Sequence, residues 1–228
     1  MLLKEWNDLP EFMKKNEVKV YYDILKKRKT SLFLKRIFDI VMSLLLIVVA
    51  SPVLLFVAVW IKLDSEGPIF YRQERVTQYG RKFRIFKFRT MVTNADKIGT
   101  LVTTKNDSRI TKVGEKIRKC RLDELPQLFN ILNGDMSFVG TRPEVQKYVD
   151  HYTDEMTATL LLPAGVTSLA SINYRDEDEI LEKYVDENHS VDEVYVDKIL
   201  PDKMKYNLEY LKTFSIVGDI ILCVKTVI

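Results

Sequence analysis

IVMSLLLIVVASPVLLFVAVWI, residues 40–61, decides how the rest of the chain is arranged. It holds 22 residues and no charged side chain. A straight helix of that length reaches roughly 33 Å, against a hydrocarbon core of roughly 30 Å. A single transmembrane helix is therefore one reading. Two features favour another. Pro52 lacks a backbone N–H and clashes with the preceding turn, so it divides the run into Ile40–Ser51 and Pro52–Ile61. Each piece crosses only about half a bilayer. The flanks are the second feature. Lys26, Lys27, Arg28, Lys29, Lys35 and Arg36 precede the run, and Lys62, Arg72, Arg75, Arg81, Lys82 and Arg84 follow it. Positive flanks stay on the cytoplasmic side, and here both are positive. The favoured geometry is a re-entrant helix-break-helix over residues 35–62, broken at Ser51 and Pro52, with Ser51 or a neighbour serving the freed backbone groups. A cleaved signal peptide is disfavoured, because the run starts late and no small-residue cleavage site follows.

Working outward, the net charge of +3 over 228 residues conceals a segregation. Residues 1–36 carry +5, residues 62–144 carry +7 and residues 145–228 carry −8. A basic, apolar, basic, acidic order points to a membrane and an anionic ligand. Composition excludes disordered and collagen-like chains. Cys120 and Cys223 are too few for a disulfide scaffold, and His151 and His189 are too few for zinc-type spacing.

Upstream, Phe12, Val18, Tyr22 and Leu25 recur at helical spacing within residues 11–29. This helix either lies on an anionic membrane face or packs on the globular part. Downstream, IFYRQERV (69–76) and KFRIFKFRTM (82–91) flank a turn at Gln78–Gly80 and read as a cation-rich hairpin. Lys87 and Arg89 on it are candidates for phosphate binding. Residues 95–105 read as a mobile loop. A short helix near Ile117 is followed by a second over Glu124–Leu132, with Gly134 as its stop. Asp123 then sits at the N-cap and Glu124 at the first helical position, just after Arg118, Lys119 and Arg121. Those cations predict a depressed Asp123 pKa. An ionised carboxylate there can attack phosphorus or hold a divalent metal, and helix N–H groups can cradle phosphate. Capping alone is the plain alternative. Gly140-Thr141-Arg142-Pro143 presents one more guanidinium in a rigid turn. The acidic run 175–193 reads as a solvated face, residues 199–213 as a helix, and residues 214–228 as a final amphipathic helix packing on the domain or the membrane.

These residues together resemble a known family. KRIFD (35–39), SP (51–52), GPIFYRQERV (67–76), KFRTM (87–91), DSRIT (107–111), LDELPQLFN (122–130), GDMSFVGTRPE (134–144) and PAGVTSLASINYR (163–175) match, in order, the bacterial sugar transferases. These are the monotopic polyprenyl-phosphate phosphoglycosyl transferases, here in their small form. The resemblance implies a membrane-associated α/β (α+β) fold: an N-terminal extension (1–34), a re-entrant hairpin (35–62) and a cytoplasmic catalytic domain (63–228). It implies transfer of a sugar-1-phosphate from a UDP-sugar to undecaprenyl phosphate, with UMP released and Mg²⁺ required, through a covalent aspartyl-phosphosugar. That reaction opens bacterial polysaccharide and glycoconjugate assembly at the inner membrane.

By the resemblance, Asp123 is the nucleophile and Glu124 its partner, both at the Mg²⁺. Lys87, Arg89, Arg118, Arg142 and Arg175 bind the diphosphate, Asp219 supports the site, and Asp192 is a weaker candidate. It implies a nucleotide-sugar donor, a polyprenyl phosphate acceptor and the cytoplasmic leaflet as partners, with a second copy or downstream glycosyltransferases beyond them. Nucleic acid is not implied. Thr141 stands where the family has proline, and Tyr174 where it has glycine, which leaves the sugar undefined. The alternative is a non-catalytic tethered module that binds anionic lipid with its basic face.

Overall fold

The computed structural model describes residues 3–95, 107–174, 184 and 190–227. Helix α1 spans Asn16–Lys26 and helix α2 spans Lys29–Asp64. Strands β1 (Phe70–Val76) and β2 (Lys82–Phe88) form an antiparallel hairpin. Helix α3 is Lys112–Lys119 and helix α4 is Gln127–Asn133. Strands β3 (Met136–Val139) and β4 (Ala164–Thr167) pair in parallel. Helix α5 (Leu200–Thr213) and helix α6 (Ile216–Val227) complete the chain. The result is a mixed helix and strand fold, as expected, with helix dominant.

Helix α2 is helical throughout, with Pro52 inside it, where the sequence reading expects a break. The proline leaves the Val48 carbonyl without its usual N–H donor. Ser51 Oγ donates to that carbonyl at 2.8 Å. The polar neighbour thus serves the freed group, as the reading of Ser51 requires.

Burial along α2 is uneven. Leu32, Lys35, Asp39 and Ser43 are buried on one face near its start, and Val57 and Ile61 near its end. Between them Leu44, Leu45, Val48, Val49, Val53, Leu55 and Phe56 stay exposed. The first group packs toward β3 and α4, where Ile47 joins the cluster of Phe83, Ile85, Leu128 and Ile131. The second packs with Phe88, Val113 and Ile117. Both ends of the apolar run are therefore held by the same globular body.

Three polar side chains of the KRIFD motif fasten the first half. Lys35 Nζ lies 2.5 Å from Asp219 Oδ2 and donates to the Val139 carbonyl at 2.8 Å. Arg36 donates to the Ile131 and Leu132 carbonyls at 2.7 and 2.9 Å, satisfying the C-terminus of α4. Asp39 Oδ1 accepts from Ser137 Oγ at 3.0 Å and the Phe138 N–H at 3.1 Å. Each contact turns an expensive buried polar group into an anchor.

The N-terminal segment takes the second of its two expected places. Val18, Tyr21, Tyr22 and Leu25 of α1 are buried with Leu208, Tyr210 and Leu211 of α5, so this helix belongs to the core. The sequence reading holds no strand at β3 or β4. Their pairing depends on close backbone approach: a Cβ on Gly165 would meet the Gly140 nitrogen at 2.1 Å, and one on Gly140 the Pro163 carbonyl oxygen at 2.4 Å.

Candidate active site

The dyad sits between α3 and α4, one step away from its expected position. Residues Leu122–Glu124 form a 3-10 turn and α4 starts after Pro126, so neither acidic residue opens α4 itself. Pro126 explains the shift, since it belongs in a first turn or just before it. Arg121 enters the turn in the left-handed region, with φ 53°. Helix α4 is then locked onto the hairpin: Asn130 Oδ1 accepts from the Phe86 N–H at 2.8 Å and its Nδ2 donates to the Arg84 carbonyl at 3.1 Å.

Lys87 on β2 reaches Glu124 Oε1 at 2.7 Å, and Arg142 Nη2 reaches the same oxygen at 3.2 Å. Burial pushes the Glu124 carboxyl up, but Arg142 and Lys87 outweigh it and bring it down to about 2. Burial likewise lowers Lys87, with Glu124 opposing. Asp123 behaves differently from the sequence expectation. Its pKa is raised, not depressed: burial is the largest cause, and the adjacent Glu124 charge adds to it against Lys87 and Arg118. Lys87 and Arg142 contact Glu124 instead, and among the described residues Asp123 makes no ion pair with a cation.

A cavity of about 630 Å³ opens beside the dyad. Asp123, Lys87, Arg118 and Arg142 line it together with Arg72, Arg75, Arg89 and Arg109. Pro68, Phe70, Phe88 and Val92 form a less polar wall. A pocket with that many cations suits a polyanion, and the apolar wall suits a greasy one.

Four of the candidate residues thus meet at one place: Asp123, Lys87, Arg118 and Arg142, with Glu124 holding two of the cations. Arg89 forms part of the wall, but its guanidinium donates to the carbonyls of Glu66 and, at 2.7 Å, Ser65. It thereby ties the end of α2 to the hairpin. Asp219 is not at the cavity. It is 1% exposed, paired with Lys35 and hydrogen-bonded by the Tyr210 hydroxyl at 2.9 Å, so the structure places it in the anchor of α2. Asp192 is taken by Lys147 at 2.6 Å and the Tyr148 hydroxyl at 2.5 Å. Arg175, His189, most of the acidic run and all of the 95–105 loop except Ala95 lie outside the described residues.

Sequence reasoning gave no individual role to Arg75 and Arg109. The signal for Arg75 was there. Strand alternation puts Tyr71, Gln73 and Arg75 on one face with Lys87, which pairs with Tyr71. Arg109 is bound to Asp107 at 2.6 Å, and that contact brings the Asp107 carboxyl down to about 2.

Mg²⁺ takes one or two carboxylates together with substrate phosphate oxygens and waters. No group of three or more His, Cys, Asp or Glu side chains gathers among the described residues. The dyad fits such a shared ion: both cations contact Oε1 of Glu124 and neither contacts Oε2.

A family model described as bacterial sugar transferase matches residues 30–228. The chain belongs to that family. It is 35% identical over 198 residues to the UDP-N-acetylgalactosamine-undecaprenyl-phosphate N-acetylgalactosaminephosphotransferase of Aeromonas hydrophila, covering 86% of this chain and 43% of that one. It is 37% identical over 199 residues to the UDP-glucose:undecaprenyl-phosphate glucose-1-phosphate transferase of Klebsiella pneumoniae, covering 85% and 39%. It is 39% identical over 166 residues to the undecaprenyl-phosphate galactose phosphotransferase of Salmonella typhimurium, covering 66% and 34%. The chain spans about two fifths of the length of these curated relatives. Their names carry three different sugars but one acceptor.

Proposed function

We propose that the protein transfers a sugar-1-phosphate from a nucleoside diphosphate sugar, a UDP-sugar by its relatives, to undecaprenyl phosphate. The observation that carries this is the Asp123-Glu124 pair at the edge of a cation-lined cavity, with Lys87 and Arg142 on Glu124. In the proposed first step an Asp123 oxygen attacks the sugar-linked phosphorus. The bond from that phosphorus to the bridging oxygen breaks, and UMP leaves with that oxygen. In the second step an oxygen of the lipid phosphate attacks the same phosphorus and the bond to Asp123 breaks. Polyprenyl diphosphate-sugar forms and the carboxylate is restored.

Burial of Asp123 makes its carboxylate a poorly solvated and therefore reactive nucleophile, while Lys87 and Arg118 keep its charged form accessible. Glu124 stays charged and holds Lys87 and Arg142 in place. Arg118 and Arg142 balance charge on the phosphoryl oxygens. Mg²⁺, held by Asp123 and Glu124, would neutralise diphosphate charge when bound.

We also propose that α2 enters the cytoplasmic leaflet and returns. Burial of both its ends against one body, with the exposed apolar stretch between them, supports this over a crossing. Such a placement brings the cavity to a phosphate that cannot leave the bilayer. The test is incubation of the purified protein with undecaprenyl phosphate, Mg²⁺ and a panel of UDP-sugars, reading UMP. Release with one sugar supports the proposal, and no release with any sugar overturns it. For topology, cysteines placed before Ile40 and after Ile61 should label only from the cytoplasmic side. Labelling on opposite sides restores the transmembrane reading.

A further inference from the structure

Arg142 lies in a loop pinned on both sides. The Gly140 N–H donates to the Thr167 carbonyl at 3.0 Å, and the Gly165 N–H to the Thr141 carbonyl at 2.9 Å. After Arg142, Arg75 Nη1 donates to the Pro143 carbonyl at 3.2 Å and the Val76 N–H to the Glu144 carbonyl at 2.9 Å. The last pin is a side-chain relay from far along the chain. Glu144 Oε1 accepts from the Tyr195 hydroxyl at 2.6 Å, and that hydroxyl accepts from Lys203 Nζ at 3.3 Å. Glu144 and Lys203 are each 7% exposed, so two opposite charges are buried on either side of one hydroxyl. Removing the hydroxyl takes a donor from Glu144 and an acceptor from Lys203, and with them the link from α5 to the Arg142 loop.

Tyr195 is placed for this by two features. It opens a π-helical turn, Tyr195–Ile199, between helix Val191–Val194 and α5. Such turns re-aim a side chain and recur at functional sites. Its ring also packs on Tyr148, with centroids 4.5 Å apart. None of Glu144, Tyr195 and Lys203 lines the main cavity.

We infer that Tyr195, Glu144 and Lys203 are positioning residues: they fix the Arg142 loop against Glu124, so that the C-terminal part of the chain sets how tightly the cavity grips a diphosphate. The inference rests on the diphosphate reading above.

The test uses the full chain in detergent and the variants Tyr195→Phe, Arg142→Ala and their double. UDP is the binding probe, and deuterium uptake over residues 139–145 reports the loop. Tyr195→Phe keeps the ring and should raise uptake there by about fivefold or more. It should weaken UDP binding about tenfold in the native background and less than about twofold in Arg142→Ala, because its effect runs through that arginine. Glu144→Gln keeps an acceptor and should be milder than Glu144→Ala. Should Tyr195→Phe fail to fold, Lys203→Met probes the same relay from its far side. Unchanged uptake, or an equal loss of UDP affinity in both backgrounds, overturns the inference. If the unaltered protein neither binds UDP nor releases UMP, the functional reading fails, and the uptake experiment alone still decides whether the relay holds the loop.

Discussion

Two clusters in this molecule use the same chemistry and do opposite work. At the dyad, Glu124 is held by Lys87 and Arg142, and Asp123 is left beside a cavity of about 630 Å³. At the root of α2, Asp219 is held by Lys35 and Tyr210, with both members of the ion pair 1% exposed and neither lining that cavity. Both clusters contain a carboxylate whose pKa is raised chiefly by burial, Asp123 in one and Asp219 in the other. The difference is satisfaction. Asp219 has its partners, so it stabilises. Asp123 has charge nearby but no ion pair among the described residues, and it faces the cavity, as the proposed nucleophile must. A perturbed carboxylate in a cleft is a candidate functional group, whereas a structural ion pair perturbs a carboxylate as well.

The comparison can be broken most severely at Asp123. Asp123→Asn should cut UMP release by about a thousandfold or more with little change in thermal midpoint. A near-native rate would remove the nucleophile from the reading. Next is Lys35→Met, which strands Asp219 in the interior. It should cost about 3–5 kcal/mol of stability in thermal or denaturant unfolding, while the protein that remains folded keeps its turnover. Loss of turnover at unchanged stability would mean that the two clusters are not separate.

Smaller effects sharpen the picture. Glu124→Gln releases Lys87 and Arg142 from a charged partner and should lower kcat/KM about a hundredfold, with stability nearly unchanged. The smallest effect belongs to Ser51→Ala, which leaves the Val48 carbonyl beside Pro52 unserved. It should cost about 1 kcal/mol, read as a lower unfolding midpoint in lipid, with labelling on either side of the apolar run unaltered.

The apolar helix, the hairpin and the acidic pair were legible in the sequence because each announces itself locally. Twenty-two uncharged residues, two alternating runs around a turn, and adjacent acids before an apolar stripe need no knowledge of distant neighbours. The parallel β3–β4 pair was not legible. Each strand has four residues, and the pairing depends on Gly140 and Gly165 meeting across the fold. The helix at residues 11–29 had an apolar stripe that suited either lipid or protein, and α5 settled the choice by covering it.

The order of motifs and the segregation of charge were determined by the sequence by itself, and with them the family and the acidic pair proposed to react. Tertiary structure alone decided which cation serves which carboxylate. Asp123 was expected to be depressed by the arginines that precede it, yet in space Arg142 and Lys87 turn to Glu124, and burial raises Asp123 instead. Asp219, by its motif a member of the site, is drawn into the anchor of α2. The reason is one and the same. Desolvation and ion pairing depend on distances through space of a few ångströms, and neighbours along the chain do not fix those distances.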